Sequence, residues 1–339
     1  MINELKILSE LNSTSGREKN VRNYIISQIK DIADYSIDAL GNLLVFKKGK
    51  SRPKNKVMLA SHMDEVGLII TYITDDGFLK FTTVGGVDTK VILGRCVRIG
   101  ENNINGVIGV KPVHLLKKDE KSVIPEKDNL YIDIGAKSKD EASELVQMGD
   151  TAYFNSDFVE FGEGCIKAKA LDDRVGCAIM LEIIKSELLY DTYFAFTVQE
   201  EVGLIGAKTA AFNIAPDYAI VVETTTAADI NGVKGHKRVC SLADGAVISF
   251  MDRATVYDKE LYDLAFEIAD KKSIAVQPKT VVAGGNDAGS IHCSGKGVKT
   301  LTVSLPCRYL HSPSCVINKK DIDSVLKIVS ELSIEFARR

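Results

Sequence analysis

The stretch Val57-Met58-Leu59-Ala60-Ser61-His62-Met63-Asp64 begins as an apolar run and ends in side chains that commonly bind metals or carry protons. Its first four residues are all apolar, which is typical of a strand that is buried on both faces. We therefore predict a central strand of a sheet that is covered by helices on both sides. His62 and Asp64 would follow this strand, at the edge where α/β sheets bind their ligands.

The rest of the chain alternates between helical and extended patterns, except in one central segment. An amphipathic helix is predicted near residues 15–32 and a strand over residues 43–46. Beyond residue 171 the predicted elements are a helix over residues 174–185, a strand over 192–198, a helix over 204–212, a strand over 218–222, a helix over 258–271, a strand over 300–305 and a terminal helix that begins after Asn318. Helices that alternate with buried strands indicate an α/β fold with a mostly parallel sheet.

The central segment, residues 69–164, has a different pattern. It contains short β-like runs separated by glycines, such as Gly85-Gly86 and Gly94, and one helix that is predicted to begin at Ser138 with Glu141 as its capping partner. This pattern is typical of a small β-barrel or sandwich. We therefore predict a larger domain formed by residues 1–68 and 165–339, and a β-rich domain of residues 69–164 inserted into it.

The composition excludes several classes of protein. The chain has 339 residues, of which 45% are hydrophobic and 26% charged, as in a folded globular protein rather than a disordered or fibrous one. The 43 basic and 46 acidic side chains give a net charge of −3, so we expect no nucleic-acid partner. The apolar runs are too short to span a bilayer, and we expect neither secretion nor a membrane anchor.

The seven cysteines are scattered along the chain and contain no Cys-x-x-Cys pair. An odd, scattered set fits neither a disulfide framework nor a structural zinc site. Such a set is typical of a protein from a reducing compartment, where thiols stay free. We therefore predict a cytoplasmic protein.

Acidic and histidine side chains follow four of the predicted strands, at the point where each strand ends. They are His62 with Asp64, Glu200 with Glu201, Glu223, and His311. A fifth group, Asp172 with Asp173, stands where a helix begins, a position that favours carboxylates. Taken alone, each group is more often a structural or solvent-exposed feature than part of an active site. Their common placement at one edge of the sheet indicates a shared site.

Several carboxylates buried together repel one another and lose hydration energy unless cations neutralise them. A set of two imidazoles and several carboxylates suits zinc or cobalt better than magnesium or calcium, which prefer oxygen ligands alone. This set also contains more ligands than one catalytic ion with an open coordination position uses. It therefore predicts a centre with two divalent ions, Zn²⁺ or Co²⁺, and one bridging carboxylate.

Spacing also indicates roles within this set. His62 and Asp64 are two residues apart on an extended backbone and face the same way, so we predict that Asp64 hydrogen-bonds to the second ring nitrogen of His62 and orients it. Glu200 and Glu201 are neighbours that point in different directions, so one would bind metal while the other acts as a general base. The aspartate pair at the helix start poses the same choice.

Five motifs make the chain resemble the M42 family of metalloaminopeptidases, and the resemblance extends over nearly the whole chain, including the inserted segment. In chain order the motifs are Ser15-Gly16-Arg17-Glu18, Ser61-His62-Met63-Asp64-Glu65-Val66-Gly67, Ala170-Leu171-Asp172-Asp173-Arg174, Val198-Gln199-Glu200-Glu201-Val202-Gly203 and Arg308-Tyr309-Leu310-His311-Ser312-Pro313. The resemblance implies a catalytic α/β domain of the zinc-peptidase type with a two-metal site. It also implies that the inserted β-rich domain makes dimer contacts and that dimers assemble into homo-oligomers up to tetrahedral dodecamers.

The resemblance assigns metal ligands to individual positions. The implied ligands are His62, Asp172, Glu201, Glu223 and His311, with Asp172 as the bridge between the two ions. Many members of the family carry an aspartate at the position of Glu223. We expect the longer side chain to bind metal as well, and to alter the affinity or preference of one metal position.

The resemblance also implies roles for residues that do not bind metal. Glu200 would be the general base and acid, and Asp64 would orient His62. Asp173, next to the bridging ligand, would support the site through its backbone. These three residues complete the site predicted from the sequence.

The predicted activity is that of an aminopeptidase, which hydrolyses the first peptide bond of a peptide with a free N-terminus. Two metals would activate the attacking water, with Glu200 as the base. Endopeptidase activity should be negligible, because one ion would receive the free α-amine. One alternative is a related two-metal amidohydrolase that removes acyl groups from N-acylated amino acids. Another is a catalytically silent structural oligomer, although every expected ligand is present.

Overall fold

The strand around Leu59 lies in the middle of a larger sheet, as its apolar run predicts. A computed structural model describes residues 1–119 and 123–339. In this part of the chain the strands are β1 (Asp34–Ile37), β2 (Leu43–Lys47), β3 (Val57–His62), β4 (Gly67–Ile73), β5 (Leu79–Val84), β6 (Cys96–Ile99), β7 (Ile104–Gly109), β8 (Tyr131–Asp133), β9 (Thr151–Phe154), β10 (Val159–Phe161), β11 (Cys165–Ala168), β12 (Thr192–Thr197), β13 (Tyr218–Thr226), β14 (Ala246–Ile248), β15 (Val276–Pro278), β16 (Lys299–Cys307) and β17 (Cys315–Asn318). The α-helices are α1 (Ile2–Glu10), α2 (Lys19–Ile29), α3 (Thr89–Ile92), α4 (Lys139–Leu145), α5 (Leu171–Lys185), α6 (Ile205–Ile214), α7 (Lys259–Lys272), α8 (Ala288–Ile291) and α9 (Lys319–Arg338).

The sheet that contains β3 has eight strands in the order β1-β2-β12-β3-β13-β16-β14-β15. Its four central strands, from β12 to β16, are parallel, whereas β2 and β14 run antiparallel to their central neighbours. β3 is buried at every position. The predicted α/β fold is confirmed, and the antiparallel pairings lie toward the edges of the sheet.

Two groups of helices cover this sheet. α5 packs on β3 and β13 and is flanked by α1, α2 and α9, while α6 and α8 pack together against β12, β13 and β16. Their apolar side chains form one large core with the sheet, which includes Leu59, Ile179, Phe194, Leu301 and Leu332. Because the core is close-packed, the carboxyl ends of the parallel strands form a well-fixed edge.

The inserted segment forms a closed barrel with the strand order β4-β5-β8-β7-β6-β9. It has a core of its own, built from side chains such as Leu68, Leu79, Val97, Ile108 and Ile132. α4 begins after Ser138, whose side chain accepts a hydrogen bond from the amide of Glu141, as the capping pattern predicts. The barrel expected from the glycine-rich β pattern is therefore present.

The barrel strands and the predicted inserted domain, residues 69–164, overlap without sharing the same ends. β10 and β11 form a hairpin that pairs with β17 in a separate three-stranded sheet, and the predicted boundary at residue 164 falls inside this hairpin. β4 begins at Gly67, which lies within the predicted larger domain. We therefore propose that the inserted domain runs from Gly67 to Phe154, where β9 ends.

Two elements of the larger domain differ from their predicted bounds. α2 spans only Lys19–Ile29, because the residues before it fold into a loop. β13 is longer than predicted, so that Glu223 lies within the strand rather than after it.

All seven cysteines are free thiols, and among the described residues no helix is both long and apolar enough to cross a bilayer.

Candidate metal centre

Asp172 lies between two histidines, with one carboxylate oxygen toward each. Its Oδ1 atom is 3.3 Å from His62 Nε2, and its Oδ2 atom is 3.2 Å from His311 Nε2. The three residues come from the end of β3, the start of α5 and the loop after β16. Asp172 therefore has the geometry of a carboxylate that can bridge two positions.

Two glutamates complete the cluster, one on each side of Asp172. Glu223 Oε1 lies 3.6 Å from His62 Nε2, and Glu201 Oε2 lies 3.4 Å from His311 Nε2. One group thus contains His62 and Glu223, and the other contains His311 and Glu201. The structure brings together all five side chains that were predicted from the sequence to bind metal.

The sheet topology explains why these side chains meet. β12, β3 and β13 are parallel neighbours, so the turn that carries Glu201, the end of β3 with His62, and Glu223 share one edge. Asp172 lies at the start of α5, where the backbone is not yet helical, and its side chain contacts the cluster. His311 follows β16 with a φ of 56°, in the left-handed region. The cluster therefore lies at the carboxyl edge of the sheet, as predicted.

The cluster holds more negative charge than its buried position tolerates without a counter-charge. Burial and the nearby charge of Asp172 raise the pKa of Glu201 to about 8, and burial also raises the pKa of Glu223 to about 7. Burial alone would lower the pKa of His311, but its hydrogen bond to Asp172 and the charge of Glu201 raise that pKa to about 10. Without cations these side chains retain protons near neutral pH. Divalent ions can displace such protons.

One polar atom of the cluster lacks a protein partner. Glu201 Oε1 is buried and accepts no hydrogen bond from the residues that the structure describes. A buried carboxylate oxygen in this situation is unfavourable unless a cation or a water binds it. Donor atoms of His62, Asp172 and Glu201 all lie within 4.8 Å of one another. The orphaned oxygen and the mixed nitrogen and oxygen donors fit a divalent metal ion.

Asp64 is completely buried, and its carboxylate makes further contacts besides the predicted one with His62. The nearest partner of His62 Nδ1 is the main-chain oxygen of Asp64, at 3.0 Å, whereas a carboxylate oxygen of Asp64 is 3.5 Å away. The carboxylate accepts hydrogen bonds from the amides of Glu200 and Glu201 at 3.0 and 3.1 Å. Both the main chain and the carboxylate of Asp64 therefore lie next to His62 Nδ1, and the carboxylate also holds the glutamate turn.

Asp173 is completely buried next to the cluster. Its carboxylate accepts hydrogen bonds from the amide of Gly176, at 3.2 Å, and from the hydroxyl of Ser61. Burial and the charge of Glu223 raise the pKa of Asp173 well above its usual value. A role through the backbone was predicted, and the main-chain oxygen does lie 3.2 Å from the Ser61 hydroxyl, but the side chain makes contacts of its own.

Glu200, the predicted base, is partly buried beside the cluster. Burial raises the pKa of its carboxyl well above the usual value. The positive charge of His62 opposes this rise, and the negative charges of Glu223 and Asp287 add to it. A carboxyl with a raised pKa is suited to accept and return a proton near neutral pH, so the surroundings of Glu200 fit the predicted role.

The inserted barrel also reaches this site, which the sequence did not indicate. The main-chain oxygen of Gly86, in the loop after β5, lies 2.9 Å from His311 Nδ1. Gly85 has a φ of +80°, and a Cβ atom there would lie 2.8 Å from Val66 and 3.2 Å from Glu201. The glycine pair is visible in the sequence, but only the fold shows that it packs on two residues of the cluster.

Known proteins resemble this chain in both sequence and fold. The family described as M42 glutamyl aminopeptidase matches residues 41–328. A protein from Acetivibrio thermocellus is 40% identical over 334 residues, which is 98% of each chain. An aminopeptidase structure from Desulfurococcus kamchatkensis is 35% identical, with a TM-score of 0.93 over 98% of this chain and 94% of its own. The TET1 peptidase of Pyrococcus horikoshii, which can assemble into a tetrahedron or a large octahedral shell, is 37% identical with a TM-score of 0.87 over 98% of each chain.

The fold and the cluster at the edge of its sheet define a hydrolytic enzyme of the aminopeptidase class. The family match covers most of the chain, and the relative from Acetivibrio thermocellus is similar over nearly all of it. The chain therefore belongs to the M42 peptidase family. The resemblance inferred from the five motifs and the prediction of an enzyme are confirmed.

Proposed function

We propose that the protein is a metal-dependent aminopeptidase that releases N-terminal residues from peptides and uses two divalent ions. The observation that carries this proposal is the position of Asp172, whose two oxygens face His62 and His311 at 3.3 and 3.2 Å. Membership of the M42 family supports a peptide substrate. The orphaned oxygen of Glu201 supports a bound cation.

We assign one ion to each side of Asp172, which both ions would share. His62 and Glu223 would hold one ion, and His311 and Glu201 would hold the other. When bound, the ions would polarise the scissile carbonyl group, lower the pKa of the attacking water and receive the free α-amine of the substrate. Imidazole nitrogens combined with carboxylates favour Zn²⁺ or Co²⁺ in these positions.

Glu200 moves the proton in this proposal. Its raised pKa and its place beside the cluster allow it to take a proton from water and to return it to the leaving amine. Asp64 holds the main chain of Glu200 and Glu201, and Asp173 binds the amide of Gly176 at the start of α5. These contacts would keep the reacting groups in place before the substrate binds.

A substrate panel with metal reconstitution tests this proposal. Protein stripped with a chelator should be inactive, and Zn²⁺ or Co²⁺ should restore hydrolysis of glutamyl, lysyl or leucyl anilides that have a free α-amine. The matching N-acetylated anilides and internally cleavable peptides serve as controls and should stay intact. The panel also includes N-acetylated amino acids with a free carboxylate, and restored deacetylation of these alone would identify an amidohydrolase instead. A lack of turnover with either class after reconstitution would contradict the proposed activity and favour the interpretation as a structural oligomer.

We also propose that the protein assembles with copies of itself, first as dimers through the inserted barrel and then as a tetrahedral dodecamer. The assembly of the related TET1 peptidase into closed shells supports this proposal. Light scattering of the purified protein checks the assembly, and a monomer at all concentrations would contradict it.

The seven free thiols support a location in a reducing compartment, the cytoplasm.

A further inference from the structure

Residues 13–18 connect two parts of the site, and the proposed reaction gives them no role. Thr14 pairs with Glu65 in an isolated parallel bridge, and the amide of Glu65 donates to the main-chain oxygen of Ser13 at 3.0 Å. This pairing attaches the segment to the chain just after His62. The segment also carries Ser15-Gly16-Arg17-Glu18, the first motif of the family resemblance.

Two carboxylates hold three consecutive amides in the turn that carries Glu200. Glu18 Oε1 accepts a hydrogen bond from the amide of Gln199 at 3.1 Å. The two oxygens of Asp64 accept hydrogen bonds from the amides of Glu200 and Glu201 at 3.0 and 3.1 Å. The backbone from Gln199 to Glu201 is therefore fixed by side chains from outside the turn.

Ser15 and Gly16 join these two carboxylates into one unit. The hydroxyl of Ser15 donates to Asp64 Oδ2 at 2.6 Å, and the amide of Gly16 donates to Glu18 Oε1 at 2.6 Å. Glu18 is only 4% exposed, and Asp64 is completely buried. Water therefore competes little for these buried hydrogen bonds.

The turn needs such support because its backbone is strained. Gln199 has a φ of +57°, in the left-handed region that residues with a side chain seldom adopt. Conformations of this kind cost free energy and persist where surrounding contacts impose them. The contact from Glu18 falls on this strained residue. Glu200 follows it directly, so a relaxation at Gln199 would turn the Glu200 side chain away from the cluster.

We propose that Glu18 is a positioning residue for Glu200, which acts through the amide of Gln199 and is assisted by Ser15 through Asp64. This inference rests on the proposed role of Glu200 as general base. The contacts of Glu18 are with main-chain amides rather than with the metal-ligand side chains. Loss of Glu18 should therefore lower kcat while the metal content and KM stay close to those of the wild type.

Kinetics of three variants, measured on the zinc-loaded full chain, test this assignment. Glu18→Ala should lower kcat by roughly 10- to 100-fold with both ions still bound, because a small displacement of Glu200 by a change outside the reacting groups costs about this much in rate. Glu18→Gln keeps an oxygen that can accept from the same two amides, so it should retain most of the wild-type kcat. Arg17→Ala, at an exposed neighbour in the same loop, is the control and should match the wild type.

A fourth variant keeps the test decisive if Glu18→Ala does not fold. Ser15→Ala removes one hydroxyl from a partly exposed residue and should lower kcat less than Glu18→Ala does. Wild-type kcat in Glu18→Ala, or in Ser15→Ala where Glu18→Ala does not fold, would overturn the assignment. Equal losses in Glu18→Gln and Glu18→Ala would also overturn it, because the carboxylate charge would then matter rather than the hydrogen bond. A wild type without aminopeptidase activity would instead overturn the proposed function, and this assignment with it.

Discussion

Asp172 is the residue at which the two halves of the site meet. Burial alone would raise its pKa, but hydrogen bonds from His311 and His62 lower that pKa below the usual value. Asp172 is therefore ionised over the physiological range, with both oxygens directed at the cluster. Glu201 and Glu223 behave in the opposite way, because burial keeps protons on them until a cation displaces those protons.

The substitution Glu200→Gln keeps the size of the side chain and removes its ability to accept a proton. We expect both ions to stay bound and kcat to fall by roughly 10²- to 10⁴-fold. Elemental analysis and steady-state kinetics on one preparation check both expectations. Glu163→Gln, at a side chain that is 92% exposed, is the control and should be unchanged. Near-normal turnover in Glu200→Gln would exclude it as the base.

The substitution Glu223→Asp withdraws one carboxylate from His62 by about one methylene group. Glu223 Oε1 is 3.6 Å from His62 Nε2 and also accepts a hydrogen bond from the amide of Thr224. We expect the affinity of the ion on this side to change by roughly 10- to 100-fold, while the ion between His311 and Glu201 is unaffected. Calorimetric titration of metal-free protein separates the two sites, and an equal change at both would contradict their separate assignment.

The five clustered side chains could be proposed as metal ligands from the sequence because each is a His, Asp or Glu near the end of a strand or the start of a helix. Gly86 and Glu18 could not be given roles in the same way. Gly86 meets His311 across 225 residues, and Glu18 meets Gln199 across 181. In both contacts one partner is a main-chain group, and every residue type offers similar main-chain groups.

At the level of elements, buried strands are easier to predict than the loops beside them. β3 is recognisable because its apolar side chains fill both faces of the sheet. β13 extends to Thr226 because it stays paired with β16 as far as Cys307, although the polar side chains after Val222 end its apolar pattern. The apolar positions with helical spacing begin at Val21, inside α2, and the polar groups of the predicted first turn before it pair with Glu65 and Gln199 instead.

The loop after β5 allows a prediction at this level, because it brings the barrel onto the site. Gly85→Ala places a Cβ atom 2.8 Å from Val66 and 3.2 Å from Glu201, and it should push the loop away from His311. We expect a loss of kcat/KM and weaker binding of the ion on the His311 side. Gly94→Ala is the matched control, because its φ is also positive (+69°) but its Cβ atom would enter open space. Equal effects of the two substitutions on activity and metal binding would show that backbone strain alone explains the loss.

At the level of the whole molecule, the part of the chain around the large sheet and the inserted barrel both contribute to one site. The strands of the large sheet and the turns and helix start beside them supply the five clustered side chains, and the barrel supplies Gly85 and Gly86. The sequence indicates the barrel through its short β runs, but not its contact with the site, because that contact depends on how the two domains pack. The barrel therefore has a role in the geometry of the site besides its proposed role in assembly.

The stability of the metal-free protein should depend on pH. The pKa values of Glu223, Glu201 and His311 are about 7, 8 and 10, each above the value of the unfolded chain, so the native state holds more protons than the unfolded state. The free energy of unfolding should therefore fall as pH rises from about 5 to about 10. Zinc-loaded protein should show a much weaker dependence over this range, because ions replace the protons. Urea unfolding at several pH values checks this, and a metal-free stability that rises with pH would contradict it.

The number of ions bound per chain tests the central claim most directly. Titration of Zn²⁺ into chelator-stripped protein should show two sites in the wild type. His62→Ala and His311→Ala should each weaken a different one of these sites, and Asp172→Ala should weaken both. A wild type that binds no ion, or an Asp172→Ala variant that binds two ions with unchanged affinity, would contradict the account.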